Sequence, residues 1–137
     1  MLITSLQNPK IKYAVKLRER HERKKENAML VEGRDELIMA MESGSNPAIL
    51  FYCPEFFGEG VNNDLINRVK SSGAEMLEVN KRVFEKISYR ENPDGWLAIL
   101  PALKRSLAEI QLGDNPLIVV IESVEKPGNL GAMLRTS

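Results

Sequence analysis

The stretch "AMLVEGRDELIMAMESG", residues 28–44, shows the pattern that repeats along the chain and decides its fold class. It opens with a short apolar run that ends at a glycine, which predicts a buried strand. After that glycine, Leu37, Ile38 and Met41 share one face of a helix. Gly44 suits the end of this helix, because glycine readily adopts the left-handed conformation found there. The stretch therefore predicts a strand followed at once by an amphipathic helix.

The same alternation extends in both directions from this stretch. On its N-terminal side, a charged helix is predicted to start near Pro9, with Asn8 as its cap, and to run to about residue 27. On its C-terminal side, strands are predicted at residues 47–54, 74–79, 96–100 and 116–123, and helices at residues 62–73, 80–88 and from residue 128 onward. The helix at 62–73 is predicted to have an asparagine or aspartate cap and a glycine at its end, and Asn80 is predicted to cap the helix at 80–88. Strands that alternate with helices imply a layered α/β fold with a mostly parallel sheet.

The chain is predicted to contain one complete domain and part of another. Four strands and their helices close a compact unit by residue 102, and residues 103–115 are predicted to form a linker with about two helical turns. Residues 116–137 then supply one strand and a partial helix. A continuous apolar strand such as "LIVVI" needs cover on both faces, which two turns of helix cannot provide. We therefore expect the sequence to be a fragment of a longer protein.

Composition excludes several classes of function. The 137-residue sequence has no apolar run that approaches the length of a membrane span and no apolar signal core, so we expect a cytoplasmic protein with no membrane partner. Cys53 and His21 are its only cysteine and histidine, so a disulfide or a metal site built from such residues is not expected. We expect Cys53 to be a small buried side chain and His21 to be solvated.

Charge is unevenly distributed although the whole chain is neutral. Residues 1–25 contain eight lysines and arginines against two glutamates, a net charge of +6 that the remaining residues balance with −6. A dense cluster follows residue 17: Arg18, Arg20, Arg23, Lys24 and Lys25. Such a cluster gives affinity for a polyanion through counterion release. It is equally compatible with a solvated helix face, so charge alone leaves both interpretations open.

A second candidate lies in "SYRENPDGWLAIL", residues 88–100. Arg90 follows Tyr89 in a predicted loop, and an exposed pair of this kind can stack on unpaired RNA bases. The alternative is that Tyr89 and Trp96 pack in the core. Glu32, at the end of an earlier strand, is a poor candidate for a general acid or base, because no second carboxylate or histidine is evidently paired with it.

The closing stretch "EKPGNLGAMLRTS", residues 125–137, predicts a loop that enters a helix. Its glycines allow a ligand to approach the backbone, as at anion-binding corners. It lacks both the dinucleotide fingerprint and the phosphate-loop lysine. Asn129 and Arg135, expected near the same side of the helix, could orient a hydroxyl and hold a phosphate. An ordinary strand–loop–helix turn and a small-molecule phosphate site at Gly128–Gly131 remain alternatives.

Taken in order, four stretches resemble one known family. They are "ITSLQNPKIK" (3–12), "KLRERHERKKENAMLVEGRDEL" (16–37), "ENPDGWLAIL" (91–100) and "LIVVIESVEKPGNLGAMLRTS" (117–137). Together they resemble the SpoU (TrmH) family of RNA ribose 2′-O-methyltransferases, which belongs to the SPOUT class. The resemblance covers nearly the whole chain.

The resemblance implies a three-layer α/β/α RNA-binding domain, similar to certain ribosomal proteins, over residues 1–102. It also implies a knotted methyltransferase domain that binds S-adenosylmethionine and forms a homodimer. By position, Asn129 and Arg135 match the catalytic pair. Glu125 stands where aspartate or asparagine is common, which leaves its role open. The donor-site motifs are expected beyond Ser137, so this chain alone is expected neither to bind the donor well nor to methylate.

RNA, with ribosomal RNA as the expected substrate, is the partner that the resemblance and the charge cluster jointly predict. The candidate contacts are Arg18, Arg23, Lys24, Lys25, Arg34 and Arg90. The principal alternative is a stand-alone RNA-binding module without catalysis.

Overall fold

The computed structural model describes residues 2–58, 63–104, 106–123 and 126–136. The chain divides into two compact units, Met1–Leu103 and Lys104–Ser137.

The first unit contains a five-stranded sheet and five helices in the part that the structure describes. In chain order its elements are β1 (Leu2–Ile3), α1 (Pro9–Lys16), α2 (Arg20–Glu26), β2 (Ala28–Glu32), α3 (Arg34–Glu42), β3 (Ile49–Tyr52), α4 (Asn63–Ser71), β4 (Glu75–Val79), α5 (Lys81–Ile87) and β5 (Trp96–Pro101). The four strands predicted before residue 102 are confirmed. The two-residue β1 was not predicted, because so short a stretch carries no periodicity.

The sheet is mixed, with the strand order β1-β4-β3-β5-β2. β1, β4 and β3 are parallel, whereas β5 is antiparallel to both β3 and β2. Since β5 is antiparallel to both of its neighbours, β2 runs in the same direction as β3, and four of the five strands are parallel in direction. The prediction of a mostly parallel sheet therefore holds for strand direction, with β5 as the exception that it did not include. After α5 and the loop of residues 88–95, the chain re-enters the sheet beside the end of β3, where Tyr52 pairs with Trp96.

Helices cover both faces of this sheet. Successive residues of a strand point to opposite faces: in β5, Leu97 belongs to one buried cluster and Ala98 to the other. The first cluster includes Ile11 of α1 and Phe84 of α5, and the second includes Leu37 of α3 and side chains of α4. The first unit therefore has three layers, α/β/α, and its strands are apolar on both sides because both sides are buried.

The helix predicted from Pro9 to about residue 27 is divided into α1 and α2. Backbone hydrogen bonds from Arg18 N to Val15 O and from Glu19 N to Lys16 O, both 3.1 Å, tighten the end of α1. The buried Leu17 lies at this corner, whereas α2 buries no residue. In one straight helix, the buried side of α1 would continue into residues 20–26, which have no apolar side chain to bury. The break between α1 and α2 separates the buried helix from the charged one.

Caps predicted from the sequence are present at three helices. The side chain of Asn8 accepts from Lys10 N at 2.8 Å, and that of Asn80 accepts from Val83 N at 3.0 Å. Gly44, at the end of α3, has φ +86°. The predicted cap of α4 precedes Asn63 and lies outside the described residues.

The second unit contains a 3-10 turn at Leu107–Glu109 and α6 at Pro127–Thr136. The final helix is confirmed, and the two helical turns expected in the linker are reduced to this one turn. The strand predicted at residues 116–123 is wrong: these residues form no strand, and Leu117 is 92% exposed. Within the described part of this unit there is no second strand to pair with them, and an unpaired strand leaves its backbone donors and acceptors to water.

Candidate nucleic-acid interface

Two arginines at the corner between α1 and α2 surround the ring of Tyr89, which follows α5. The Arg18 guanidinium carbon lies 4.9 Å from the centre of that ring, and Arg18 Nη1 donates to the Lys86 carbonyl at 3.4 Å. Arg23 Nη1 donates to the carbonyls of Leu17 at 2.8 Å and Arg18 at 2.6 Å. The structure therefore brings two of the predicted RNA contacts together around an aromatic ring.

A cavity of about 300 Å³ opens beside this ring. It is lined by Arg18, Arg23 and Tyr89 together with Met29 and Leu30 of β2, of which Leu30 packs on the same face of the sheet as α1 and α5. Tyr89 is 45% exposed, so the alternative that placed it in the core is wrong. Burial raises the pKa of Tyr89 above its ordinary value, although the two arginines oppose the shift. The phenol is therefore neutral at physiological pH.

The neighbouring aromatic residue behaves differently. Trp96 is 3% exposed and stacks on Phe57 with the ring centres 4.7 Å apart, which confirms its assignment to the core. Gly95 before it has φ +86°, and a Cβ there would lie 2.5 Å from the Cys53 carbonyl oxygen, so this turn requires glycine. Cys53 itself is fully buried, as predicted, and burial raises the pKa of its thiol.

Glu32, at the carboxyl end of β2, holds the backbone of the loop that carries Tyr89. Ser88 Oγ donates to Glu32 Oε1 in a short hydrogen bond, and Tyr89 N donates to Glu32 Oε2 at 2.7 Å. Ser88 Oγ also accepts from Arg90 N at 3.1 Å. Hydrogen bonds to a carboxylate are stronger than neutral ones. Glu32 is therefore a structural clamp for the loop, which agrees with its rejection as a general acid or base.

Arg90 is already engaged by a carboxylate. Its guanidinium forms an ion pair with Glu36 of α3. Burial alone would lower the pKa of Arg90, but the hydrogen bond and charge of Glu36 outweigh it and raise the pKa. Gly33 makes room for the pair: a Cβ at its φ of +112° would lie 2.0 Å from Glu36 Oε2 and 2.7 Å from Arg90 Nη1. An RNA phosphate would have to share or displace this contact.

Arg34 lies away from the Tyr89 ring, at the start of α3. Its backbone N donates to Asp94 Oδ2 at 2.7 Å, and its guanidinium donates to Asp35 Oδ1 at 2.9 Å. It lines a smaller cavity of about 140 Å³ together with Arg68 of α4. Arg34 therefore belongs to the side of the sheet that α3 and α4 cover, whereas Arg18 follows α1 on the other side.

The lysines of α2 complete the predicted set. Lys24 and Lys25 are exposed, and neither forms a salt bridge in the described part of the chain. By contrast, Lys16 Nζ lies 2.7 Å from Glu22 Oε2, and this hydrogen bond raises the pKa of Lys16. His21 is solvated as predicted, with a 74% exposed side chain. Lys24 and Lys25, like the exposed Arg20 of the same helix, are therefore placed to meet a phosphate.

The two predicted catalytic residues, Asn129 and Arg135, are both exposed on α6. Six residues of α-helix correspond to about 9 Å along the axis and about 120° around it. The expectation that they lie near the same side is therefore wrong for this helix. Arg135 Nη1 instead folds toward Gly131, 3.4 Å from where a Cβ would lie. Glu125, whose role was open, lies outside the described residues.

The described residues contain neither a metal-binding cluster nor a helix that could span a membrane. Over residues 2–58, 63–104, 106–123 and 126–136, no three His, Cys, Asp or Glu side chains converge as a metal site would require. None of the helices in that part of the chain has the length and apolar content needed to cross a membrane.

The sequence did not reveal the two carboxylates, Glu32 and Glu36, that hold the loop carrying Tyr89 and Arg90. Glu32 contacts residues 56 and 57 positions later, and Arg90 contacts Glu36 across 54 positions. No local pattern predicts such pairs. The one usable signal was Gly33, since a glycine between a strand and a helix indicates a left-handed or crowded backbone position.

Comparison with known proteins places the chain in a family. The model of the MRM3-like substrate binding domain matches residues 8–98. An uncharacterised tRNA/rRNA methyltransferase of Synechocystis sp. is 30% identical over 98% of this chain and 48% of its own length. The 23S rRNA (guanosine(2553)-2′-O)-methyltransferase RlmP of Bacillus subtilis is 27% identical over 98% of this chain and 49% of its own length.

A solved structure gives the same result. The crystal structure of an RNA 2′-O ribose methyltransferase superposes with a TM-score of 0.75 and 35% identity, covering 99% of this chain and 51% of that one. The chain thus spans about half the length of the relatives it matches. These matches confirm the resemblance to SpoU (TrmH) RNA methyltransferases. Because the family model covers well over half of the sequence, the chain belongs to the MRM3-like substrate-binding domain family.

Proposed function

We propose that the first unit binds RNA through a surface formed by Arg18, Arg23, Lys24, Lys25 and Tyr89. One observation carries the proposal: a stacked arginine and tyrosine lie beside two lysines without salt-bridge partners in the described residues, in a member of a substrate-binding domain family. Lysines that meet phosphates release counterions and supply affinity. Arginine and tyrosine supply planar faces for bases. Arg34 and Arg90, which already contact carboxylates, are proposed as peripheral contacts.

In the whole protein, we propose that this surface presents RNA for methyl transfer from S-adenosylmethionine to a ribose 2′-hydroxyl, with ribosomal RNA as the substrate. The relatives' names as tRNA/rRNA and 2′-O-methyltransferases support this proposal. Asn129 and Arg135 are proposed to position and activate the hydroxyl, which is a weak nucleophile. A homodimer is proposed for the whole protein on the family resemblance alone.

The described residues of the second unit do not fit S-adenosylmethionine by themselves. The apolar residues 117–121 are exposed, and so are Asn129 and Arg135 on α6. A ligand site normally encloses most of its ligand, and these exposed residues do not enclose one.

The test is to map ribose methylation in ribosomal RNA from cells that have or lack the full-length gene. Mass spectrometry of nuclease fragments should show one 2′-O-methyl group lost on deletion. The wild-type gene should restore it, and genes carrying Asn129→Ala or Arg135→Ala should not. Unchanged RNA after deletion would contradict methyl transfer and favour the alternative of an RNA-binding module without catalysis.

A further inference from the structure

The cavity beside Tyr89 has a shape and chemistry that a phosphate contact alone does not use. We propose that it receives one unstacked RNA base, which stacks on the guanidinium of Arg18; this inference rests on the proposed RNA-binding function. The occupant is therefore an unpaired nucleotide of the substrate RNA, in a loop, bulge or single strand.

The size of the cavity limits what it can hold. Its volume of about 300 Å³ lies at the lower end of the range for ligand sites. Leu30 supplies an apolar side chain on this face of the sheet, beside two guanidinium groups and a phenol ring. A single planar group suits such a site, because a planar base has an apolar face and a polar edge.

Arg18 is prepared as a stacking surface. Tyr89 lies against one side of its guanidinium at 4.9 Å, and the hydrogen bond to the Lys86 carbonyl limits rotation of the group. The residue is exposed, so a base can approach it from solvent. Stacking on arginine planes and aromatic rings is how proteins hold splayed RNA bases. Tyrosine, arginine and base would then form one continuous stack.

Arg23 supplies the complementary charge. One of its nitrogens, Nη1, holds the carbonyls of Leu17 and Arg18, which fixes the guanidinium at the mouth of the cavity. A guanidinium has five N–H donors, so donors beyond those on Nη1 can reach the edge of a base or its phosphate. Glu32, which holds the loop, has its two oxygens bonded to Ser88 and to the Tyr89 backbone.

The same geometry argues against a base inside a duplex. Paired bases are stacked on both faces, and the major groove of an A-form helix is too deep and narrow for side chains to reach their edges. Only an unstacked base can present a face to Arg18. Single-stranded RNA should therefore gain an interaction that a duplex of the same sequence does not make.

The experiment compares two forms of one RNA sequence. Dissociation constants of this chain are measured by fluorescence anisotropy for a labelled single strand and for its blunt duplex. Arg18→Lys keeps the charge but removes the plane, and Tyr89→Leu removes the ring. Tyr89→Phe keeps the ring, and Arg68→Lys on α4 is the matched control on the other side of the sheet. Circular dichroism confirms that each variant folds, as expected for substitutions at exposed residues.

Arg18→Lys and Tyr89→Leu should weaken binding of the single strand by about 5- to 150-fold, the usual contribution of one stacked base, and change duplex binding less than about twofold. Arg68→Lys should leave both constants close to those of the wild type, and Tyr89→Phe, which keeps the ring, should lose less single-strand affinity than Tyr89→Leu. Equal losses on both RNAs, or no loss on the single strand, would overturn the base pocket and leave RNA binding intact. A wild-type chain that binds neither RNA would overturn the proposed function itself.

Discussion

At the scale of single residues, Gly33 shows how the backbone makes room for a charged pair. Its φ of +112° is unfavourable for any side chain, and a Cβ there would meet both Glu36 and Arg90. We expect Gly33→Ala to destabilise the fold by about 1–3 kcal/mol, measured by urea unfolding.

Two other glycines provide the controls for this prediction. Gly44→Ala, at φ +86° with nothing within 4 Å, isolates backbone strain, so it should cost less than Gly33→Ala. Gly58→Ala, at an ordinary φ with nothing within 4 Å, should change stability by less than about 0.5 kcal/mol. Equal stability of Gly33→Ala and Gly58→Ala would show that neither the strain nor the pair matters.

Features of single residues could be predicted from the sequence when they depend on near neighbours in the chain, but not when they depend on distant ones. The caps at Asn8 and Asn80 were predictable, because a cap bonds a backbone donor two or three residues away. The exposure of Tyr89 was not predictable, because it depends on Glu32, which holds the loop from 57 residues away. A residue type records its own chemistry but not which distant partner will fix its backbone.

At the scale of secondary-structure elements, α2 carries exposed cations without local partners. We expect the double variant Lys24→Gln with Lys25→Gln to weaken RNA binding and to reduce the slope of log Kobs against log salt concentration by about 1.4, since each phosphate contact on a single strand contributes about 0.7. The measurement is a salt titration of binding by anisotropy.

The matched control is Arg68→Gln with Lys70→Gln on α4, which removes the same charge from the other side of the sheet. Its slope should equal that of the wild type. If both double variants lower the slope equally, RNA responds to net charge and α2 is not a specific contact. Arg23 is left unchanged in this test, because its hydrogen bonds to Leu17 and Arg18 hold the corner between α1 and α2.

Elements were predicted better than their arrangement. Continuous apolar runs marked β3 and β5, because strands buried on both faces are apolar throughout. Shorter apolar stretches that include or adjoin glutamates marked β2 and β4. The same patterns could not predict that β5 runs antiparallel between β3 and β2. The direction of β5 depends on where α5 and the loop of residues 88–95 return the chain to the sheet, and a local sequence pattern does not specify that position. The apolar residues 117–121 predicted a strand, yet a strand forms only where a partner strand is present.

At the scale of the whole molecule, RNA binding and methyl donation are expected to belong to different units. The first unit has a buried core and an organised cationic site, whereas the described side chains of the second unit are mostly exposed. We expect calorimetric titration of this chain with S-adenosylmethionine to show no micromolar binding, while a family member that binds the donor serves as the positive control. Micromolar binding by the chain alone would contradict this division of roles.

The most direct test of the central claim, that RNA binds at the α1–α2 corner and Tyr89, is to locate the contact itself. RNA substituted with 4-thiouridine is photo-crosslinked to this chain, and the modified peptides are identified by mass spectrometry. Crosslinks are predicted within residues 18–25 and at Tyr89–Arg90, and they should disappear as salt is raised. Crosslinks confined to α4, on the other side of the sheet, would contradict the account.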